Sequence, residues 1–122
     1  MPAKTEFPIV FEKLKSIIKP YSPKFKVKAD TPDSFYLEGK YSEKWNNDLF
    51  FASTQIKKNY VSFYLMPVYM YPDLLKGISP ELKKHMQGKS CFNFKKIEPA
   101  LFDELSELTK MGFDRLMKEE YS

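Results

Sequence analysis

Cysteine, histidine, tryptophan and arginine each occur once in this chain of 122 residues. Each scarcity excludes something. The lone Cys91 has no partner for an intramolecular disulfide, which fits a reducing compartment better than a secreted one. Together with His85 it falls short of the ligand set of a structural zinc site. Lysine supplies 19 of the 20 cations, with Arg115 the exception. Base edges and phosphate forks are usually read by arginine, so the basic character argues against nucleic acid as the partner. The apolar stretches are short and interrupted. None approaches the ~20 residues of a membrane-spanning helix, and Met1-Pro2-Ala3-Lys4-Thr5-Glu6 lacks the apolar core of a signal peptide. A soluble, cytoplasmic domain away from the membrane is expected. With only four glycines, no glycine-rich dinucleotide fingerprint is present.

The length is that of one domain, residues 1–122. Such a chain can bury roughly two-thirds of its unfolded surface, so it needs no metal or disulfide staple. Charge is unevenly spread. Residues 1–96 hold 17 lysines against 9 acids, whereas residues 97–122 hold 3 bases against 7 acids. A basic body with an acidic final helix suits an anionic partner, and a solvated surface accounts for the same pattern.

Hydrophobic spacing sets the expected elements. Phe7, Val10, Phe11, Leu14, Ile17, Ile18 and Tyr21 recur at helical steps, which predicts a helix over 5–19, capped by Thr5 and stopped by Pro20 and Pro23. Lysine alternates with Phe25, Val27 and Ala29 over 24–30, which reads as a half-buried edge strand with those three residues inward. A second strand over 35–39 completes a hairpin, and a loop over 39–47 carries Tyr41 and Trp45. Residues 49–56 and 60–66 form the strongest hairpin signal, joined by Lys57-Lys58-Asn59 with Asn59 in a left-handed turn position. Pro67 and Pro72 admit a loop over 68–71. Two short helical pieces follow, 73–77 and one opened by Ser79-Pro80-Glu81 and closed at Gly88. A fifth strand over 91–95 precedes a last helix opened by Pro99, in which Gly112 allows close packing. The fold class is α+β: a mainly antiparallel five-stranded sheet packed by N- and C-terminal helices, in the order α-β-β-β-β-α-α-β-α.

Most familiar chemistry fails on spacing. Gly88-Lys89-Ser90 resembles the end of a phosphate-binding loop, but Lys83 stands where the first glycine is needed and the segment leads into a strand. His85 and Cys91 are the only candidates for a nucleophile pair, and each reads more simply as a solvated histidine and a packed cysteine. No catalytic residue, cofactor or metal set is assigned.

The tyrosines are another matter, because each hydroxyl wants a partner. On the fourth strand Tyr60, Ser62, Tyr64 and Met66 share one face, and Val61, Phe63 and Leu65 the other. The tyrosine face either lines a cleft or partner surface or is covered by another helix. Tyr69 follows closely, Trp45 sits in a nearby loop, and Cys91, Asn93 and Lys95 share one face of the fifth strand. Lys83, Lys84 and Lys89 form a basic cluster. The candidate ligand-binding residues are therefore Trp45, Tyr60, Tyr64, Tyr69, Lys89, Asn93 and Lys95.

The run 56–69, Ile-Lys-Lys-Asn-Tyr-Val-Ser-Phe-Tyr-Leu-Met-Pro-Val-Tyr, resembles the central hairpin of YdhG-like bacterial domains, a group of unknown function. Ser79-Pro80-Glu81-Leu82-Lys83-Lys84, then Gln87-Gly88-Lys89-Ser90-Cys91-Phe92-Asn93-Phe94, is similar to the segment that follows it there. The resemblance covers about residues 35–113. It implies the same fold, with a Gly-Lys-small motif leading into a strand and a terminal helix. Some relatives are discussed as frataxin-like iron chaperones, which would make Asp103, Glu104 and Glu107 the place for iron. The sequence pI of about 9.0 departs from the acidic surface of an iron carrier. The expected function is a small non-catalytic domain that binds a small ligand or protein through the tyrosine face, as a monomer or homodimer. Iron delivery through the acidic helix is the alternative, and anion or nucleic-acid binding by the lysine face the second.

Overall fold

The computed structural model describes residues 6–44 and 46–120, except for the side chains of 47 and 48. The chain runs α1 (Phe7–Ile18), β1 (Lys26–Thr31), β2 (Ser34–Ser42), β3 (Asn47–Ile56), β4 (Val61–Leu65), α2 (Met66–Met70), α3 (Pro80–Lys83), β5 (Cys91–Phe94) and α4 (Pro99–Glu120). The strands form one antiparallel meander in the order β1-β2-β3-β4-β5. The α+β class and the arrangement of helices around a five-stranded sheet are as expected. No helix among the described residues is long and apolar enough to cross a membrane.

The helices gather on one side of the sheet, and the cause is the period-two pattern of the strands. Phe35, Leu37, Ala52, Thr54, Val61, Phe63, Leu65, Phe92 and Phe94 occupy matched positions in the register and are all buried. The stripe Phe7, Val10, Phe11, Leu14 and Ile18 of α1 closes over them, as do Phe102, Leu105, Leu108 and Leu116 of α4. Full burial of each large apolar side chain stabilises by about 1.5–3 kcal/mol before entropy is counted. Tyr21, Phe25, Phe51 and Phe113 form an aromatic knot where α1, the sheet and α4 meet, with Phe25 stacked on Phe51 at 4.6 Å. The buried Thr54 hydroxyl is satisfied by the Ser62 carbonyl at 2.8 Å, so the core keeps no cost there.

Local departures from the sequence reading have physical causes. Val27 is 45 % exposed instead of inward. A bulge between Val27 and Ala29 shifts the register, so Ala29 sits opposite Tyr36 and leaves the face that Val27 shares with Leu37. The segment read as a loop over 68–71 is largely helical, since α2 begins with Pro67 in its first turn, where a missing N–H costs nothing. Chain after α1 continues as a 3-10 helix over Lys19–Lys24 rather than stopping at Pro20. The strands β2 and β3 run through most of the expected 39–47 loop. Asn59 does not take a left-handed conformation; among the described non-glycine residues only Asn46 does, at φ 53°. The helix opened by Ser79 is correct in its cap, with the Ser79 hydroxyl accepting from Leu82 N at 3.1 Å. It ends at Lys83, however, and Gly88, at φ 83°, serves the next turn instead. The expected cap Thr5 lies outside the described residues.

That early helix end matters for function. Residues after Lys83 run back along β5: Asn93 N donates to the His85 carbonyl and Gln87 N to the Cys91 carbonyl, both at 2.9 Å. Met86 bridges Phe92. The β5 edge is thereby covered, and His85 is carried to the end of the sheet.

Candidate ligand site on the open sheet face

The opposite face of the sheet has no helix over it among the described residues. Its side chains are set by the same register. Ser53 lies between Tyr36 and Tyr64 on neighbouring strands, and Ser62 lies between Gln55 and Asn93. Tyr36 stacks on Phe50 at 4.9 Å. The two serines are 1 % exposed because larger neighbours roof them, whereas Tyr36, Phe50, Gln55, Tyr64, Cys91 and Asn93 are half-buried. A strand face left without a helix thus becomes an amphipathic surface of aromatic rings over small hydroxyls.

Polar groups on this face are connected. Ser62 Oγ donates to Asn93 Oδ1 at 2.9 Å, Cys91 Sγ donates to the same oxygen at 3.3 Å, and Asn93 Nδ2 donates to Gln87 Oε1 at 2.7 Å. Burial pushes the Tyr64 phenol above its ordinary value, with Ser62 and Cys91 as its polar neighbours. Burial likewise pushes the Cys91 thiol up, partly opposed by hydrogen bonding with Ser62 and Tyr64. Both groups stay protonated at neutral pH, as donors rather than anions. A protonated thiol is a poor nucleophile, and His85 turns elsewhere.

At the β5 end this face runs into a cleft of about 420 Å3 lined by Tyr60, His85, Asn93, Lys95, Lys96 and Glu98. The imidazole of His85 stacks on Phe94 at 4.6 Å. Its Nδ1 lies 2.8 Å from the Asn93 carbonyl, which can only accept, so Nδ1 carries a proton. Its Nε2 lies 3.2 Å from Glu98 Oε2. Both partners are acceptors, and the ring donates to both at once only as imidazolium. Histidine and carboxylate hold each other at the start of α4, where Phe102 N donates to the Glu98 carbonyl at 2.8 Å.

Three of the expected residues, Tyr60, Asn93 and Lys95, come together in this cleft. Tyr64 lies on the open face opposite Cys91, in the β4–β5 pair farthest from the cleft. Tyr69 and Lys89 meet each other, with the ammonium 6.0 Å from the ring centroid. They sit at the opposite end of the β4–β5 pair, about 14 Å away along the strand at the usual rise, and so do not join the cleft. Trp45 lies outside the described residues. Lys96 and Glu98 are contributors absent from the expected ligand-binding residues, and in the sequence His85 is weighed only as half of a nucleophile pair and reads as solvated. For His85 the available signal is the turn at Gly88-Lys89-Ser90, which folds residues 85–87 back beside 91–93; Lys96 and Glu98 have none beyond following the fifth strand.

The acidic helix is arranged differently from a metal centre. Glu104 Oε2 accepts from Ser79 N and Glu104 Oε1 from Ser79 Oγ, each at 2.6 Å. Among the described residues no group of three or more His, Cys, Asp or Glu is close enough together to hold an ion. A second groove, about 330 Å3, lies between α1 and α4 and is lined by Lys13, Ile17, Phe102 and Asp103 among others.

Comparison with protein-family models, curated proteins and solved structures gives no match for this chain. The resemblance to YdhG-like domains accordingly rests on the residues quoted for it.

Proposed function

We propose that this is a non-catalytic binding domain that takes a small ligand on its open sheet face, anchored in the cleft at the β5 end. The observation that carries this reading is the position of Asn93. It belongs to the polar network under Tyr64 through Ser62 and Gln87, and it also lines the cleft with Tyr60, His85 and Lys95. One side chain thus joins a rigid, hydrogen-bonded floor to an open recess. Ligand sites are commonly concave, with mostly apolar walls and a few fixed polar groups, at volumes of about 300–1,000 Å3. Ser62, Tyr64 and Asn93 stand on strands, which hold them more firmly than loops would, whereas Tyr60, His85, Lys95, Lys96 and Glu98 come from the turns and connections that flank β4 and β5.

A general-base or nucleophile role is not part of the proposal. The thiol and phenol on the face are held protonated by burial, and the imidazole is committed to Asn93 and Glu98. Iron delivery gains no support from Glu104, which is occupied with Ser79.

The test is native mass spectrometry of the protein as purified, beside Tyr64→Ala and Asn93→Ala variants whose circular dichroism matches the parent. The reading expects a small-molecule adduct on the parent that both variants lose. An adduct retained by both variants contradicts the site. A protein-sized adduct moves the reading to a partner surface.

A further inference from the structure

We propose that the cleft between Tyr60, His85 and Lys95 recognises a flat aromatic acid: a ring bearing one carboxylate or phosphate group. The inference rests on the binding reading above and adds the chemical class of the ligand.

Three observations lead there. First, Lys95 and Lys96 both line the cleft, and neither makes an ion pair or side-chain hydrogen bond with a described residue. Elsewhere on the described surface Lys15, Lys28, Lys110 and Arg115 are among the cations held in ion pairs. Two consecutive lysines at one recess, beside a single carboxylate, leave an excess of positive charge there. Second, the one carboxylate of the cleft is already opposed. Glu98 faces His85 Nε2 at 3.2 Å, and His85 is fixed from behind by the Asn93 carbonyl at 2.8 Å. Glu98 and the Asn93 carbonyl thus fix the plane of the imidazole between them. Third, the apolar part of the wall is ring-shaped. Tyr60 is half-buried beside the recess, and His85 is held in plane by Phe94 at 4.6 Å with 23° between the rings. Lysine stems add carbon surface while their heads stay in water.

A ring can lie against these walls while its anionic group reaches the two ammonium heads. Lysine acts as a point charge rather than a fork, so it accommodates carboxylate and phosphate alike. An inorganic anion meets the charges but leaves the rings bare. A neutral aromatic fills the rings but not the charges. The site discriminates by requiring both.

The experiment is a titration of the full chain with benzoate, phenyl phosphate, benzyl alcohol and inorganic phosphate, followed by amide NMR shifts. At least one aromatic acid is expected to shift residues 60, 85, 93, 95 and 96 together and to saturate. Benzyl alcohol and inorganic phosphate are each expected to bind about tenfold more weakly or worse. The Lys95→Gln/Lys96→Gln double variant, altered only at exposed side chains, should lose about tenfold for the acid and leave benzyl alcohol unchanged. Tyr60→Ala should weaken both aromatics. Equal binding of benzyl alcohol, equal binding of inorganic phosphate, non-saturating shifts, or acid binding that survives the double lysine variant each overturns the proposal. Failure of both acids while a co-purified adduct depends on Tyr64 and Asn93 overturns the ligand class alone. Acid binding in the cleft, beside an adduct indifferent to Tyr64 and Asn93, overturns the sheet-face reading alone.

Discussion

Glu104 and Ser79 are joined twice: one carboxylate oxygen accepts from the serine amide and the other from its hydroxyl, both at 2.6 Å. The same hydroxyl caps α3 through Leu82 N. One side chain of α4 thereby fixes the start of α3, and with it the segment that carries His85 to the cleft. Hydrogen bonds to a charged group contribute about 1.5–3 kcal/mol. Glu104→Ala is expected to lower unfolding stability in urea by about 2 kcal/mol. A loss below a few tenths would show that α3 is held by packing instead. A metal at this carboxylate would have to compete with Ser79, so ferrous iron is expected to give no saturable heat in calorimetry.

Gly112 of α4 packs directly against Pro67 of α2. A Cβ on Gly112 would stand 2.9 Å from the Pro67 Cβ. Alanine is the better helix former by about 1 kcal/mol, but the neighbour is a proline ring anchored to the backbone, and overpacking costs about 1–3 kcal/mol. The clash should win. Gly112→Ala is expected to be destabilised by about 1 kcal/mol net in urea unfolding. A stabilised variant would mean that α2 moves freely.

Arg115 donates to Asp73 at 3.0 Å and to Glu119 at 3.2 Å, and its guanidinium lies 4.7 Å from the Tyr71 ring centroid. The hydrogen bond from Arg115 holds the Asp73 carboxyl below its ordinary value of 3.8. The sign follows from linkage: a carboxyl depressed on folding adds stability that is fully present above 3.8 and lost as pH falls through its lower folded value. Arg115→Gln should therefore be less stable than the parent at pH 6, with the gap closing in acid. A gap independent of pH would assign the loss to packing on Tyr71.

Cys91 offers a probe of the open face. Its thiol is raised above the ordinary 9.0 chiefly by burial, so alkylation by iodoacetamide should be slow at pH 8 and its rate should rise with a midpoint above that value. A fast reaction at neutral pH would place the thiol in water and contradict the closed Ser62–Asn93–Cys91 network.

Much of this architecture was legible in the chain. Alternation in β2 through β5 and the turn between β3 and β4 pointed to the sheet, and the tyrosine face of β4 does lie beside the Cys91 and Asn93 face of β5, in a register that the alternation alone does not fix. The misreadings were places where one residue changes the period. A single bulge put Ala29 on the opposite face from Val27, and Val27 on the edge strand stays 45 % exposed. Pro67 was read as a stop, although the first turn of a helix accepts it. The helix after Ser79 ended five residues before Gly88, which moved His85 from a solvated helix surface to a stacked, hydrogen-bonded place beside Phe94. Sequence spacing does not report which end of a strand pair a loop residue reaches, so Tyr69 and Lys89 were grouped with Tyr60 and Lys95 although they lie at opposite ends.

A ligand site where the open face meets the β5 end can be located by an amide-NMR screen of small aromatic and anionic fragments against the full chain. Hits should cluster on residues 60, 62, 64, 85 and 91–96. Hits that gather instead in the groove of Lys13, Ile17 and Phe102 between α1 and α4, or that spread evenly over the surface, would contradict it.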